Sequence, residues 1–237
     1  MNLLAFDTST DTMSLAVQRT VNGTPQQWLH SGPGGAQTSA QLIPAIQQLM
    51  AQAGLRFDQL DAIVFGCGPG SFTGLRTACA VAQGLAFGAK VPVLPVDTLL
   101  AVAEEARQQL AAPAMPCRVQ ALLDARMDEL YAACYTFDSG RWSTNEGPSL
   151  IRPENLVTGA ADTQAGNVFA VYAERLPAVD ATVSRVEALP TAAALLRLAP
   201  ALLAAGAAVS AEQALPLYIR DKVAKTTLER AAEKAAL

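Results

Sequence analysis

A glycine-rich segment, Gly66 to Arg76, is the clearest candidate for chemistry in this sequence. It reads Gly-Cys-Gly-Pro-Gly-Ser-Phe-Thr-Gly-Leu-Arg and joins an apolar strand, Ala62 to Phe65, to a helix predicted to begin near Ser71. Glycines let the backbone approach a ligand closely, and the free amides of a helix start attract anions. The segment matches neither the Walker loop nor the dinucleotide fingerprint. The segment could therefore be either a phosphate-binding site or a tight structural turn.

Two carboxylates at strand ends are the next candidates. The apolar run Leu3 to Phe6 ends in Asp7, and the run Gln120 to Leu123 ends in Asp124. Each run leads through a polar turn to a second strand, which predicts a duplicated unit. Equivalent strand ends would place both carboxylates at a cleft between two lobes, where a phosphate or its magnesium ion could bind. The alternative is that each Asp bonds only to its own turn. The predicted phosphate- or nucleotide-binding residues are Asp7, Thr8, Ser9, Gly68, Gly70, Ser71 and Asp124.

The sequence contains few other side chains that could act in catalysis or bind a metal ion. His30 is the one histidine, which excludes a metal centre with two or more histidine ligands and leaves a serine triad only that residue. Ser71 is favoured as a helix cap over a nucleophile. We therefore predict no catalytic residue and no metal ligand. Wide spacing without a Cys-x-x-Cys pair predicts reduced thiols for Cys67, Cys79, Cys117 and Cys134.

The elements that position these residues divide the chain into two lobes, 1–111 and 112–237, at a Pro-rich joint over 112–116. The first lobe reads βββαβαβα. The first helix of this lobe has one apolar face and is predicted to end at Gly54. Pro44 either kinks this helix or marks its first turn. Strands follow the joint at 119–123 and 130–137, and a third returns after the turn at 138–140. We expect the final segment of the second lobe to pack back on the first.

The helix after the glycine-rich segment has two flanks of small residues. One flank contains Gly74, Ala78, Ala82 and Ala86, and the other contains Ala80, Gly84 and Gly88. A sheet covers only one face of a helix, so we predict that one flank binds a partner protein.

The tail from Pro216 to Lys225 gathers basic residues beside Tyr218. It could contact RNA phosphates or a partner, with a solvated tail as the alternative. From Leu228 to Leu237 the Ala-rich sequence predicts a frayed terminal helix.

Composition limits the class of protein. The chain has 237 residues, of which 51% are hydrophobic and 16% charged, so it can bury a sizeable core. Its formal net charge of -4 argues against gripping nucleic acid alone through a broad basic surface. Residues 1–7 lack a signal peptide, and Arg197, Pro200 and Gly206 interrupt the apolar segment 191–209. We therefore expect a cytoplasmic protein without membrane contact.

Four segments together resemble the TsaB (YeaZ) family, and the resemblance spans nearly the whole chain. They are Asp7 to Thr10, Gly68 to Arg76, Asp124 to Tyr131 and Pro216 to Arg220. The resemblance implies an α/β fold of the actin-like, Hsp70-like and sugar-kinase-like (ASKHA) type. In that fold two ribonuclease H-like lobes carry mixed βββαβα sheets, in agreement with the strand order and the duplicated unit.

The family resemblance also implies a role in forming N6-threonylcarbamoyladenosine (t6A) at position 37 of tRNAs that read ANN codons. It implies a non-catalytic subunit that pairs with a catalytic TsaD-like subunit and helps to recruit a TsaE-like ATPase. We expect tRNA to be reached only through that complex. No cofactor of its own is expected, and ATP or ADP with Mg²⁺ would bind at the complex interface.

The resemblance places the TsaD contact on the first two helices. TsaD-type proteins carry a metal-binding His-x-x-x-His, whereas the corresponding run here, Leu94 to Leu100, has no histidine. Many family members also have a histidine before the first helix where this sequence has Thr38, which puts any function of that histidine in doubt. The predicted interface residues are Leu42, Ile46, Leu49, Met50, Phe72, Leu75, Arg76, Ala78, Cys79 and Ala82.

Two other functions stay as alternatives. An ATP-dependent small-molecule kinase of the same fold would use Asp7 and the glycine-rich segment. A peptidase is disfavoured because the chain has no paired histidines and no visible triad. An exposed partner helix would also allow the isolated chain to form a homodimer.

Overall fold

Two five-stranded sheets with the same topology form the two lobes of the molecule. The computed structural model describes residues 1–110, 115–159 and 161–220. In the first sheet, with order β3-β2-β1-β4-β5, β1 is antiparallel to β2 and parallel to β4. Its strands are β1 (Leu3–Asp7), β2 (Thr12–Val21), β3 (Thr24–Pro33), β4 (Ala62–Gly68) and β5 (Val93–Asp97).

The second sheet repeats this arrangement, with order β10-β9-β6-β7-β8. Here β6 is antiparallel to β7 and parallel to β9, and so corresponds to β1. The predicted duplicated unit and the predicted mixed sheets are therefore confirmed. The strands are β6 (Cys117–Arg126), β7 (Glu129–Asp138), β8 (Arg141–Ile151), β9 (Thr163–Gly166) and β10 (Ser184–Glu187).

The helices cover both faces of the first sheet. Gly54 adopts the left-handed conformation just after α1, which confirms it as the predicted stop. Pro44 lies inside α1, beyond its first turn. The side chain of Asp97 caps α3 by accepting a 2.8 Å hydrogen bond from the Leu99 amide. The helices are α1 (Thr38–Ala53), α2 (Phe72–Ala89), α3 (Thr98–Gln109) and α4 (Ala192–Ala204).

The segment that follows the second sheet packs on the first. Helix α4 buries Ala192, Leu195 and Ala199 against β1 and β4, and its first amide, that of Ala192, donates to Ser14 Oγ at 2.9 Å. Farther along, the Val209 amide donates to the carbonyl of Val93 on β5 at 2.8 Å. The sequence boundary near residue 111 thus separates the two sheets but not the layers packed against them.

Polar contacts join the lobes through α3. Glu104 is 2% exposed, and it accepts hydrogen bonds from Trp142 Nε1 on β8 at 3.0 Å and from Arg197 Nε on α4 at 2.8 Å. Arg107 also donates to this carboxylate. At the start of α3, Asp97 accepts a 2.6 Å bond from the Tyr135 hydroxyl on β7.

Some sequence predictions lie outside the described residues. They are residues 112–114 of the Pro-rich joint, residues 221–225 of the basic tail and the terminal helix at 228–237. Within the described part of the chain, no helix has the length and apolar character needed to cross a membrane.

Candidate functional site

The glycine-rich segment is filled by the chain's own β1–β2 turn. The Ser71 amide donates to the Ser9 carbonyl at 2.7 Å, and Thr8 Oγ1 donates to the Gly74 carbonyl at 2.8 Å. A Cβ at Gly74 would lie 1.8 Å from the Thr8 carbonyl oxygen, and one at Gly70 would lie 2.6 Å from Ser9 Cβ. These glycines are therefore required for the close approach of the turn. The close packing of the β1–β2 turn gives the structural role of these glycines a physical cause. The Ser71 amide at the helix start is already bonded to Ser9 and is not free to bind an anion.

Ser71 occupies the N-cap position of α2 as predicted. Its side chain, however, makes no capping hydrogen bond. The predicted capping role of the hydroxyl is therefore wrong, because the first turn of α2 is held instead by the Ser71 amide and the Thr8 hydroxyl.

Asp7 lies at the end of β1 and is completely buried. Its Oδ1 accepts from the Ser9 amide at 2.8 Å and from Ser9 Oγ at 2.6 Å, whereas its Oδ2 is buried without a hydrogen-bond partner. A Cβ at Gly66 would lie 1.8 Å from that Oδ2. Burial raises the pKa of Asp7 to about 6, against the lowering effect of the Ser9 hydrogen bonds.

Asp124 lies near the end of β6 and makes the matching turn contact. Its Oδ1 accepts from the Arg126 amide at 2.9 Å, as Asp7 does from the amide two residues on. The same oxygen accepts from the Tyr172 hydroxyl at 2.8 Å, and Oδ2 pairs with Arg126 at 3.2 Å. Both oxygens of Asp124 therefore have polar partners, whereas only one oxygen of Asp7 does.

A cavity of about 240 Å³ lies between the lobes, and only part of the predicted phosphate set reaches it. Ser9, Gly70, Ser71 and Asp124 line this interlobe cavity. Asp7, Thr8 and Gly68 do not, because Asp7 is buried beside Gly66 of β4, Thr8 lies under Gly74 of α2, and Gly68 faces the Leu217 backbone.

The walls of the interlobe cavity combine aromatic rings and cations. Phe72, Tyr131 and Tyr218 contribute rings, and Arg126 and Arg220 contribute guanidinium groups. These cations are already paired, the first with Asp11 and Asp124 and the second with Glu129. Asp124 is the carboxylate of the predicted set that lines the cavity, but its side chain is 7% exposed and its oxygens are already engaged by Tyr172 and Arg126. Within the described residues, no three His, Cys, Asp or Glu side chains cluster as metal ligands.

Most of the predicted partner-interface residues are buried in the core of the first lobe, and their role in an interface stays a prediction. Helix α1 directs its apolar face at the first sheet, because that face must leave water. The inner flank of α2 packs against the same core. Two of the predicted residues differ: Phe72 is half-buried and Arg76 is exposed. The buried ones are Leu42, Ile46, Leu49, Met50, Leu75, Ala78, Cys79 and Ala82.

The other small flank of α2 faces outward. Ala80, Gly84 and Gly88 are all exposed, and the neighbouring Phe87 is 72% exposed. We call these residues the outer flank of α2. Both flanks are visible in the sequence, but the predicted interface residues on α2 include Ala78 and Ala82, which lie on the flank that the sheet covers. Phe87, a large apolar residue beside the outer flank, is the sequence feature that distinguishes the two flanks.

Thr38, which takes the place of the family histidine, is the first residue of α1. It is buried, and its Oγ1 has no hydrogen-bond partner in the structure.

Comparison with known proteins gives consistent matches over both lobes. A model of the family described as TsaD: tRNA N6-adenosine threonylcarbamoyltransferase matches residues 25–228. The tRNA threonylcarbamoyladenosine biosynthesis protein TsaB of Escherichia coli (strain K12) is 32% identical over 94% of this chain and 96% of its own length. The Haemophilus influenzae protein of the same name is also 32% identical, over 94% of this chain and 95% of its own.

Solved structures agree with these sequence matches. YeaZ from Pseudomonas aeruginosa is 38% identical, covers 92% of this chain and 99% of its own, and superposes with a TM-score of 0.79. A crystal structure of an uncharacterized protein with similarity to peptidase YEAZ from Pseudomonas aeruginosa has the same identity and a TM-score of 0.81. At 38% identity, these two proteins resemble this chain in sequence as well as in fold.

Proposed function

Because the chain belongs to the TsaB (YeaZ) family and has its ASKHA-like fold, we propose that it is a non-catalytic subunit required for t6A formation. The modified position would be 37 of tRNAs that read ANN codons. The named relatives are t6A biosynthesis proteins. The chain would pair with a TsaD-like catalytic subunit, and the pair would support recruitment of a TsaE-like ATPase in the cytoplasm.

The outer flank of α2 is the observation that carries this proposal. Its small residues recur every four positions, so a partner helix can approach the backbone closely. Phe87 exposes most of its ring beside them. A hollow next to the flank is lined by Phe57, Leu85 and Gly88, among others, and could receive a partner side chain. Large apolar residues beside a shallow hollow are typical of the centre of a protein interface.

The charge distribution on the two helices supports the same face. Helix α1 contains no charged residue over Thr38–Ala53, and α2 contains one before its C-cap, Arg76, which lies in its first half. Exposed helix surface in a monomer normally carries Lys and Glu, whereas interface centres are depleted of charge. Ile43 on α1 is also 44% exposed. The partner face therefore lies on the outer surfaces of both helices.

The non-catalytic role has separate support. His30, the one histidine in the chain, is exposed on β3. In the run from Leu94 to Leu100, which corresponds to the TsaD metal motif, Asp97 caps α3 and accepts from Tyr135. Its carboxylate is thus committed to structure. We propose that group transfer takes place on the partner, with ATP or ADP and Mg²⁺ at the composite interface and tRNA bound through the complex.

The test is co-purification with a TsaD-like subunit, followed by assay of tRNA modification with each subunit omitted. Gly84→Trp is the informative variant, because nothing lies within 4 Å of a Cβ at Gly84 and the fold should tolerate it. We expect it to abolish pairing and t6A formation. Gly147→Trp, equally open but in the second lobe, is the matched control and should retain both.

Two results would contradict the proposal: undiminished t6A formation without this chain, or full pairing by Gly84→Trp. Calorimetry of the isolated chain with ATP and magnesium distinguishes the proposed non-catalytic role from the kinase alternative. A kinase requires tight stoichiometric binding and turnover. A homodimer of the isolated chain formed through the outer flank should dissociate as the TsaD-like subunit is added.

A further inference from the structure

The Arg76 side chain lies at the N-terminal end of the outer flank of α2. Successive members of the series Arg76, Ala80, Gly84 and Phe87 are three or four residues apart, so all of them share one face of the helix. All four are exposed. The helix face that the proposed function assigns to the partner therefore ends in a cation.

The guanidinium group of Arg76 is held in place by two aromatic side chains. Its Nε donates to the Tyr218 hydroxyl at 3.0 Å, and its central carbon lies 3.7 Å from the centroid of the Phe72 ring. The two rings lie 5.3 Å apart, centroid to centroid. Cations and aromatic faces attract each other, so the three side chains form one unit.

This unit leaves the charge of Arg76 available to a partner. Among the residues that the structure describes, Arg76 has no carboxylate partner, and its terminal nitrogens have no acceptor. A guanidinium that is already fixed by stacking loses little side-chain freedom when it binds an anion. Arg, Tyr and Phe are also the residue types that are enriched in protein interfaces.

We infer that Arg76 is a specificity-determining residue of the partner face and that it binds a carboxylate group of the TsaD-like subunit. This inference rests on the proposed function and identifies the chemistry that the partner must present. The planar guanidinium matches a carboxylate with two parallel hydrogen bonds. A charge at the edge of an apolar interface also speeds the encounter of the right partner and disfavours partners that lack the complementary charge.

The surroundings of Arg76 fit an acidic protein surface better than RNA. Its neighbours on this face, Ala80 and the rings of Phe72 and Tyr218, carry no charge. RNA is held largely by several Lys or Arg contacts to phosphate groups, and the formal net charge of this chain is -4. One cation beside apolar side chains is the pattern of a protein interface.

A second copy of this chain matches Arg76 less well. Helices α1 and α2 contain no Asp or Glu, so a homodimer formed through them alone would bring Arg76 no carboxylate. Two exposed acidic residues lie near α2. Asp58 is already bound by Arg56 at 3.0 Å, and Glu212 lies in the short turn Ala211–Gln213 that packs beside the helix. Glu212 therefore provides the test for a second copy.

Titration of the TsaD-like subunit with variants of the full chain tests the inference. We expect Arg76→Gln to raise the Kd of pairing about tenfold. Arg76→Glu should raise it about a hundredfold, because the new carboxylate would repel that of the partner. Added sodium chloride should weaken pairing of the parent chain more than pairing of Arg76→Gln. Tyr218→Phe removes the acceptor of Arg76 Nε and should raise the Kd about threefold.

The matched control is Arg141→Gln. It removes an exposed cation from β8 in the second lobe and changes the net charge of the chain by the same amount as Arg76→Gln. We expect the Kd of Arg141→Gln to equal that of the parent chain. An equal loss of affinity in both variants would show a general charge effect and would contradict a specific role for Arg76.

Pairing of Arg76→Gln and Arg76→Glu at parent strength overturns the inference. The proposed function then still stands if Gly84→Trp abolishes pairing, whereas both fail if the parent chain does not pair. Two further results would also overturn it by assigning Arg76 elsewhere. One is weaker tRNA binding by the Arg76→Gln complex with an unchanged Kd of pairing. The other is loss of a homodimer of the isolated chain in both Arg76→Gln and Glu212→Gln, again with an unchanged Kd of pairing.

Discussion

Asp7 and Asp124 end corresponding strands of the two lobes, and each accepts a hydrogen bond from the amide two residues further on. Beyond that shared turn, their surroundings are opposite. Asp7 is fully buried with one oxygen unpartnered, whereas Asp124 lines the interlobe cavity and binds Tyr172 and Arg126. The duplicated strand and turn therefore do not by themselves decide whether the carboxylate can act as a site.

The segment after the fourth strand of each sheet makes the difference. In the first lobe, the glycine-rich segment and α2 come directly after β4 and close over the β1–β2 turn. In the second lobe, residues 167–183 after β9 form turns and irregular structure, and no helix covers Asp124. The helix after β4 thus covers the turn that follows Asp7, whereas the irregular segment after β9 brings the Tyr172 hydroxyl and the Asn167 side chain into hydrogen-bond contact with Asp124.

The largest expected effects come from the glycines on those fourth strands. A Cβ at Gly166 would lie 1.7 Å from the Leu122 carbonyl oxygen, and one at Gly66 would lie 1.8 Å from Asp7 Oδ2. Backbone cannot yield as a side chain can, so Gly166→Ala should cost at least about 3 kcal/mol of unfolding free energy. Gly66→Ala should cost about 2 kcal/mol. Urea denaturation followed by tryptophan fluorescence measures both.

A double variant tests the cause of the Gly66 effect. In Asp7→Ala the carboxylate that the new methyl would strike is gone, and the remaining Asp7 Cβ lies 3.4 Å from the position of that methyl, an ordinary contact. Gly66→Ala should therefore cost less than about 0.5 kcal/mol in that background. An unchanged cost would show that the methyl group is excluded by something other than Asp7.

The next prediction is that replacing the two carboxylates has opposite effects on the unfolding free energy. Burial raises the pKa of Asp7 from 3.8 to about 6, so the folded chain holds this proton more tightly than the unfolded chain does. Asp7 therefore lowers stability progressively as pH rises from about 4 through 6, by up to about 3 kcal/mol above that range. Asp7→Asn should remove this loss and stabilise the protein at pH 8.

Asp124→Asn should instead destabilise at the same pH, by about 1 kcal/mol, because it weakens charge-assisted bonds from Tyr172 and Arg126. Unfolding free energies of both variants, measured from pH 4 to pH 8, provide the comparison. Equal effects of the two substitutions would contradict the contrast drawn between the lobes.

The smallest effect is expected at the ion pair that joins the two turns. Arg126 and Asp11 contact each other across the cleft, but their side chains are 67% and 80% exposed. Exposed pairs contribute little, so Asp11→Ala, which leaves the Arg126–Asp124 pair in place, should lower the unfolding free energy by less than about 1 kcal/mol, and less still at high salt. A larger loss would mean that the exposed pair holds the lobes together more than Glu104 does.

Local sequence patterns were sufficient for the elements of the first lobe and for the first hairpin of the second. Apolar alternation located β2 and β7, and Gly54 marked the end of α1. Strands β9 and β10 were not predicted, because each has four residues. Such runs are too short to display a period, and each pairs with distant residues: β9 pairs with β6 more than forty positions before it, and β10 pairs with β9 more than twenty positions before it.

Local sequence patterns were enough to identify the duplicated strand with its Asp, the glycine-rich turn before α2 and the two small flanks on that helix. Long-range packing, in contrast, puts Ala78 and Ala82 against the sheet, leaves Gly84 and Phe87 facing outward and places α4 on the first sheet. The physical reason is that small residues on both flanks give nearly equal hydrophobicity. The choice between them, like the burial of Asp7, was made by which distant segments pack against them.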